Sequence, residues 1–309
     1  MIQAAKNQRS AVRWIKQLPY NKKVMPYVFV SPFVISFLIF FLYPTIESIV
    51  MSFCQMQGFK NPRFVGLDNY ARLFNYHFRN AVVSNTVYTV LTILVLIPVP
   101  VVLAVLLNSH LLKFRNAFRA SIFIPSLVSA LIAGIAFRIM FSDMETGLFN
   151  RIVMLFGGKP VAWNMGYWTG MLMMIVLNAW KSVGINMVYC LSALQSIPAD
   201  IYESAEIDGA TAVRKFWNIT LPLLKPTIAY ILTLTIIAGY RMFTESYVYW
   251  VDSTPGDIGL TIVRYIYTMS FQRNDMGLGS AIGIVLLAII MLINMVQLRG
   301  FGMFGKEKD

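Results

Sequence analysis

The chain has 309 residues, of which 57% are hydrophobic and 13% are charged, and its formal net charge is +12. Soluble domains usually carry about 25% charged residues, so this composition excludes an ordinary water-soluble protein and indicates a membrane protein. The basic excess does not by itself indicate a nucleic-acid partner, because Lys and Arg collect in the cytoplasmic connections of membrane proteins.

Six apolar stretches are long enough to cross a bilayer, which requires about 20 mostly apolar residues. They are residues 28–51, 82–107, 120–141, 167–194, 227–250 and 277–298. We therefore predict an all-α membrane protein with six transmembrane helices. The remaining segments are a cytoplasmic N-terminal segment, 1–27, an external loop, 52–81, and a cytoplasmic tail, 299–309. The polar start is too long for a cleaved signal peptide, so we expect the first span to be retained.

The distribution of Lys and Arg predicts the orientation of these spans. Basic residues are more frequent in residues 1–26, 108–119, 195–226 and 299–309 than in the connections that alternate with them. Cytoplasmic connections carry such an excess, so we expect both termini in the cytoplasm. Most of the positive charge is then explained by orientation, and we expect no nucleic-acid partner.

A long polar stretch, YESAEIDGATAVRKFWNITLPLLKP (residues 202–226), lies between two apolar spans on the predicted cytoplasmic side. Gly209 predicts a left-handed turn that ends a first helix. A second short helix is expected over about 211–219, with Pro222 and Pro226 breaking the chain before the fifth span. A helix resting on lipid headgroups is an alternative, but anionic headgroups would repel its acidic side chains. We therefore expect a protein partner.

Within this stretch, Glu203-Ser204-Ala205, then Gly209, then Ile219-Thr220-Leu221-Pro222 resembles the "EAA" loop of binding-protein-dependent ABC importer permeases, with Ser204 in place of alanine. The stretches FVGLDNY (64–70), FIPSLVSALIAG (123–134) and MGLGSAIGIVLL (276–287) are similar to the sugar-specific, maltose-type subgroup. The resemblance implies the type I ABC importer permease fold, with residues 82–298 as the transmembrane core and 198–222 as the coupling loop. The residues that it assigns to coupling with an ATPase are Glu203, Ser204, Ala205, Asp208, Gly209, Ile219, Leu221 and Pro222.

The same resemblance implies partners and a location. The partners are a second related permease subunit, two copies of an ATP-binding subunit and an extracytoplasmic solute-binding protein, in the cytoplasmic membrane of a prokaryote and in contact with its lipid. ATP and Mg would bind the partner ATPase, because no G-x-x-x-x-G-K-[ST] loop is present. Neither Gly158-Lys159 nor Gly305-Lys306 is followed by Ser or Thr. We therefore expect no catalytic residue, metal site or cofactor in this chain.

Lys181, Arg241 and Glu245 are charged residues inside predicted spans. An ionisable group there is costly and usually faces a cavity or a transport path. Arg241 and Glu245 are four residues apart on the fifth span, so a continuous helix would place them on one face. The structural alternative is an internal ion pair of Glu245 with Lys181 or Arg241, which would hold helices together.

The resemblance also implies a sugar path, to which we add Glu245 because of its spacing from Arg241. The path residues are Ser126, Asn178, Lys181, Ser182, Ile185, Ala238, Arg241 and Glu245. Lys181 and Arg241 are cationic where the maltose-type pattern is neutral. Because cations and carboxylates form strong charge-assisted hydrogen bonds, we predict an acidic oligosaccharide, such as a uronate-containing fragment of pectin or alginate.

The alternatives are a neutral plant oligosaccharide and, in other functional classes, a channel or an ATP-independent secondary carrier. A channel would require a filter loop or pore-lining polar repeats, and a secondary carrier would show paired, interrupted spans in two halves. Neither pattern is evident in the sequence. Transport that requires a separate ATPase and ATP would distinguish the importer from both.

Overall fold

A computed structural model describes residues 22–58, 60–109, 112–251 and 255–303 of the chain, with the side chain of Asn61 left out. Within these ranges, five helical segments are long and apolar enough to cross a membrane, and a bent helix pair brings the number to six if it counts as one span. The all-α membrane fold is therefore confirmed. Residues 1–21 and 304–309, which include most of the predicted N-terminal segment and the Gly305-Lys306 pair, lie outside the described residues.

The first crossing is a peripheral helix. It consists of α1, Met25–Phe37, a π-helical turn, Leu38–Leu42, and α2, Tyr43–Ser52. Pro44 directly follows the π-helical turn, and because it has no N–H it cannot donate to that preceding turn, although the helix continues. Most of its large apolar side chains are exposed, and α2 packs against the last helix of the chain. Such an apolar surface suits contact with lipid or with another membrane subunit.

A small β-hairpin occupies the loop that the sequence predicted only as an external connection. It consists of β1, Cys54–Gln57, and β2, Lys60–Phe64, which are antiparallel, and is followed by α3, Asp68–Ala71. The buried Asn69 donates hydrogen bonds to the carbonyl oxygens of Ser52 at 3.0 Å and Cys54 at 2.9 Å. Arg72 Nη2 lies 2.6 Å from Asp275 Oδ2. The turn of the hairpin is itself joined to the segment before the last helix, because the N–H of Gly58 donates to the carbonyl of Asn274 at 2.7 Å.

Helices α4 to α16 form the remaining bundle and its connections. Their bounds are α4, Tyr76–Leu96; α5, Pro98–Asn108; α6, Arg115–Phe123; α7, Ala130–Met140; α8, Leu148–Leu155; α9, Tyr167–Gln195; α10, Ala199–Ile207; α11, Ala212–Lys215; α12, Leu221–Leu223; α13, Lys225–Tyr240; α14, Thr244–Tyr249; α15, Ile262–Tyr267; and α16, Met276–Gly300. The long helix α9 packs against α4, α5 and the end of α6. Gly184 permits the last contact, because a Cβ there would come within 2.1 Å of the carbonyl oxygen of Ile122.

The predicted third span, 120–141, is not one straight helix. After α6 the chain forms a 3-10 turn, Ile124–Leu127, and then bends by 96° before α7. Pro125 has no N–H to continue the helical hydrogen bonds, and Val128 and Ser129 adopt extended backbone with ψ of 135° and 134°. The sequence predicted a span over these residues but not this bend, because the apolar pattern continues through it.

Candidate functional site

The predicted coupling loop lies exposed at one end of the bundle. Its first helix, α10, follows Pro198 and has an acidic residue, Asp200, in its first turn. That position is favourable, because the N-terminal end of a helix carries partial positive charge. Of the eight predicted coupling residues, the exposed ones are Glu203, Ser204, Asp208, Gly209 and Pro222, and the half-buried ones are Ala205, Ile219 and Leu221.

Helix α10 ends in the left-handed turn that the sequence predicts at Gly209. Gly209 adopts a left-handed backbone with φ of +74°, a conformation that side chains with a Cβ rarely tolerate. The N–H of Gly209 donates to the carbonyl of Glu206 at 3.0 Å, and that of Ala210 donates to Ala205 at 2.9 Å. This pair of bonds is the Schellman motif, which satisfies the last carbonyls of a helix. The turn is therefore specified by local sequence.

A salt bridge within the loop joins its two helices. Lys215 Nζ lies 2.6 Å from Glu206 Oε1, which connects α11 to α10. Thr211 caps the start of α11, because its hydroxyl oxygen accepts a hydrogen bond from the N–H of Arg214 at 3.3 Å. One of the acidic groups is therefore neutralised within the chain.

The two prolines do not break the chain as predicted. A π-helical turn, Phe216–Thr220, leads into α12 and α13, with Pro222 and Pro226 in their first turns. Each proline lacks an N–H to donate to the preceding turn, but the neighbouring bonds from Leu224 to Thr220 and from Ile228 to Leu224 continue the helical path. The expectation of a break was wrong, and the loop enters the fifth span through nearly continuous helical backbone.

Three apolar residues of this loop that are exposed in the structure were not among the predicted coupling residues. Ile207 is 87% exposed, Val213 68% and Trp217 60%. Exposed apolar side chains that share one segment are typical of a docking surface. The signal in the sequence was their presence in an otherwise polar stretch.

The fifth span is interrupted at the position of its charged residues. Helix α13 ends at Tyr240, Arg241 has ψ of 5°, and Phe243 has φ of −134° before α14 begins. Arg241 and Glu245 consequently belong to different helices and do not have the i, i+4 relation that we expected. That part of the prediction was wrong because the pattern of apolar residues does not show where the hydrogen bonds of a helix stop.

Distant residues complete the backbone hydrogen bonding around this interruption. The buried Asn85 on α4 donates to the carbonyl of Gly239 at 2.7 Å, and its side-chain oxygen accepts the N–H of Ile262 at 2.9 Å. Thr261 donates to the carbonyl of Met242 at 2.9 Å. These bonds satisfy groups that the interruption would otherwise leave unpaired in a buried position.

Arg264 holds the second half of the interrupted span. Its side chain is only 4% exposed and lies at the end of α14. Nη1 donates to the carbonyl oxygen of Ser246 at 2.6 Å, and Nη2 donates to the carbonyl oxygen of Trp250. Burial lowers the pKa of the Arg264 guanidinium to about 10. A cation near the C-terminal end of a helix is favourable, and the planar guanidinium can reach two carbonyls at once.

A cavity of about 510 Å³ lies beside this interruption. It brings together four of the predicted path residues, Asn178, Ala238, Arg241 and Glu245. Tyr88 on α4 also lines it and was not predicted. Its hydroxyl oxygen accepts a hydrogen bond from Asn178 Nδ2 at 2.8 Å. The signal that could have identified Tyr88 is its spacing of three residues from Asn85, which places both polar groups on one face of the second span.

The other predicted path residues lie outside the lining of this cavity. Ser182 supports it indirectly, since its hydroxyl donates to Asn178 Oδ1 at 2.8 Å. Lys181 is half-buried on α9, three residues after Asn178. Ile185 is half-buried further along α9, and Ser126 lies in the 3-10 turn, where it donates to the carbonyl of Phe123 at 2.7 Å.

The charged residues near the cavity are not joined by a salt bridge. In the part of the chain that the structure describes, the salt bridges within 4.0 Å are Arg72–Asp275, His77–Asp257 and Lys215–Glu206. None of them includes Lys181, Arg241 or Glu245. The proposed internal ion pair is therefore absent from the described residues, and the polar ends of Arg241 and Glu245 are available to the cavity.

Comparison with known proteins gives consistent results. A family model described as "Binding-protein-dependent transport system inner membrane component" matches residues 73–299. The arabinooligosaccharides transport system permease protein AraP of Bacillus subtilis (strain 168) is 48% identical over 292 residues, which cover 94% of this chain and 93% of that protein.

Two solved structures share the fold. One is a bacterial ABC transporter involved in the import of the acidic polysaccharide alginate, with a TM-score of 0.81 and 26% identity, covering 95% of this chain and 100% of that one. The other is a bacterial alginate ABC transporter in complex with an alginate pentasaccharide-bound periplasmic protein, with a TM-score of 0.79 and 26% identity, covering 92% and 96%.

Proposed function

Because this chain belongs to the family of binding-protein-dependent transport system inner membrane components, we propose that it forms one half of the translocation path of an importer for arabinose-containing oligosaccharides. It is a multi-pass membrane permease subunit of a bacterial ABC importer of sugars or oligosaccharides, and such subunits are not themselves enzymes.

The observation that carries the substrate proposal is the mixed charge of the cavity. Arg241 supplies hydrogen-bond donors and Glu245 supplies carboxylate acceptors on the same wall. A sugar hydroxyl both donates and accepts, so a neutral oligosaccharide can use both side chains. A uronate would be attracted by Arg241 but repelled by Glu245. The full-length similarity to a permease named for arabinooligosaccharides supports the same substrate class.

An acidic oligosaccharide is the second candidate, and one specific observation favours it. Arg241 lines the cavity and Lys181 lies on α9 three residues after the lining residue Asn178, so two cations and one carboxylate lie in or next to the cavity. Cations on faces near a transport path favour a carboxylate-bearing sugar, and both structural relatives are alginate transporters. We rank this candidate second because Glu245 lines the cavity and Lys181 does not.

We also propose how the subunit is energised. The exposed helix α10 and the apolar side chains Ile207, Val213 and Trp217 would dock into a groove of an ATP-binding subunit. A dimeric ATPase requires two such helices, so a second permease completes the assembly, and a solute-binding protein delivers the sugar. Both termini would then lie in the cytoplasm.

The test uses the intact transporter purified from its native membrane and placed in lipid vesicles. Uptake is compared for arabinotriose and trigalacturonate, with and without ATP, in wild type, Arg241→Gln and Glu245→Gln. We expect ATP-dependent uptake of arabinotriose that both variants reduce by about tenfold, since a lost hydrogen bond to a charged group has that order of effect. Uptake of trigalacturonate alone would select the acidic candidate, and uptake without ATP would contradict the importer.

A further inference from the structure

Four aromatic side chains form a contiguous cluster next to the transport cavity, in which three rings contact one another and the fourth packs beside one of them. The ring of Phe243 stacks on that of Tyr247 with centroids 5.1 Å apart. The ring of Tyr267 lies 5.4 Å from that of Phe243 and 5.6 Å from that of Tyr247, and the ring of Phe271 lies 5.6 Å from that of Tyr267. We refer to these four residues as the aromatic track. Phe243 and Tyr247 lie just before and within α14, whereas Tyr267 and Phe271 lie at the end of α15 and just after it.

The track connects two cavities. Phe243 lines the transport cavity together with Arg241 and Glu245. Tyr247 and Tyr267 line a second cavity of about 350 Å³, which we call the hairpin-side cleft. The stacked rings of Phe243 and Tyr247 therefore form a wall that the cavity and the cleft share.

The position of the cleft places it at the end of the bundle opposite the coupling loop. One of its lining residues, His77, lies at the start of α4, directly after α3 and the hairpin. Another, Arg273, immediately precedes Asn274, whose carbonyl accepts a hydrogen bond from the N–H of Gly58 in the hairpin turn. In the orientation predicted from Lys and Arg, this end faces the outside, from which a substrate arrives.

The chemistry of the track and cleft matches a sugar. Aromatic rings present flat apolar faces on which the C–H face of a sugar ring can stack, while nearby polar groups bind its hydroxyls. In the cleft, Asp257 is held by His77 at 3.0 Å and by Asn80 at 3.0 Å, which orients its carboxylate. Phe271, the fourth residue of the aromatic track, is 63% exposed and therefore accessible to a ligand.

Arg264 packs against one ring of the aromatic track. Its guanidinium carbon lies 5.9 Å from the centroid of the Tyr247 ring, on which it exerts a cation–π attraction. The same side chain is hydrogen-bonded to two carbonyls of the interrupted span. The ring of Tyr247 is thus fixed relative to the wall of the cavity.

We propose that the aromatic track is a second sugar-binding subsite, which holds the trailing rings of an oligosaccharide in the hairpin-side cleft while its leading ring occupies the transport cavity. This proposal rests on the proposed function, since it requires that the substrate is an oligosaccharide. It assigns length selectivity to the track: a disaccharide fits the cavity alone, whereas a tetrasaccharide must also contact the rings.

An interfacial girdle is the other explanation for such residues, because Trp and Tyr collect at membrane–water boundaries. A girdle contributes to insertion and stability, and its loss would affect substrates of all lengths equally. The comparison of two lengths therefore distinguishes the explanations.

The experiment measures sugar uptake per ATP hydrolysed by the intact transporter in vesicles, with saturating binding protein loaded with arabinobiose or arabinotetraose. We expect Tyr267→Ala to lower tetraose uptake about tenfold, to change biose uptake less than twofold and to leave stimulated ATP hydrolysis intact. Tyr267→Phe keeps the ring and should behave as wild type. The matched control is Phe74→Ala, which removes a 96% exposed ring outside the track and should have no effect at either length.

Equal losses for both sugars, or a full tetraose rate in Tyr267→Ala, would overturn the track. If the wild type imports neither arabinose oligosaccharide, the proposed substrate is wrong, and the same length comparison is made with di- and tetragalacturonate. An effect of Tyr267→Ala on the longer uronate would then still support the track, and its absence would refute it.

Discussion

The coupling loop and the interruption of the fifth span are both charged, but their charges are arranged in opposite ways. In the loop, Glu206 and Lys215 are nine residues apart and form a salt bridge of 2.6 Å. At the interruption, Arg241 and Glu245 are four residues apart and form none. Local sequence specifies the first region. Contacts from Asn85 and Arg264, far away in sequence, specify the second.

This difference has an energetic meaning. An exposed ion pair contributes about 0–1 kcal/mol, because water already solvates both partners. A charge inside a membrane costs at least about 2.5 kcal/mol, and no salt bridge within the described residues offsets that cost for Arg241 or Glu245. We infer that these two charges are retained for contact with substrate, whereas the salt bridge of the loop contributes little to stability.

The largest effect is expected from the turn that ends α10. Gly209→Pro removes the N–H that donates to Glu206 and is incompatible with φ of +74°, because proline requires φ near −65°. We expect normal membrane insertion, but sugar-stimulated ATP hydrolysis by the intact transporter should be abolished.

The matched control is Gly209→Asn, because asparagine tolerates a left-handed backbone better than other residues with a Cβ. It should retain most of the activity. Normal uptake by Gly209→Pro would show that the turn does not transmit force.

A large effect is also expected from Arg264, through stability as well as transport. Arg264→Gln leaves the carbonyls of Ser246 and Trp250 without their donor, at a cost of about 1–3 kcal/mol each. We expect a lower unfolding temperature and weaker sugar-stimulated ATP hydrolysis.

Arg264→Lys should lie between wild type and Arg264→Gln, because an ammonium cannot reproduce the planar fork of a guanidinium. An unchanged unfolding temperature in Arg264→Gln would mean that other contacts maintain the interruption of the span.

The same contrast explains what could be predicted from the sequence. The left-handed turn at Gly209 and most of the spans depend on residue type and local pattern, and the structure agrees. The hairpin and the interruption at Arg241 depend on contacts such as Asn69 with Ser52, and Asn85 with Gly239. An apolar pattern carries no information about these long-range hydrogen bonds, so Tyr88 and Arg264 were missed as well.

The smallest effect is expected from the salt bridge of the coupling loop. Lys215→Gln removes a partly exposed pair, so the change in stability should be below about 1 kcal/mol. Sugar-stimulated ATP hydrolysis should change less than about twofold, and raising the salt concentration should affect wild type similarly. A loss as large as that of Gly209→Pro would show that Lys215 contacts the ATPase directly.

Thermal unfolding of the Glu245→Gln transporter, measured alongside its sugar uptake, shows whether the charges of the cavity serve the substrate or the fold. Removing one partner of a buried ion pair would cost about 3–5 kcal/mol, whereas removing an unpaired buried carboxylate should cost little. If these charges serve the substrate, Glu245→Gln should have an unfolding temperature equal to or above that of wild type, together with an uptake rate reduced about tenfold. A clearly lower unfolding temperature with unchanged uptake would contradict this prediction.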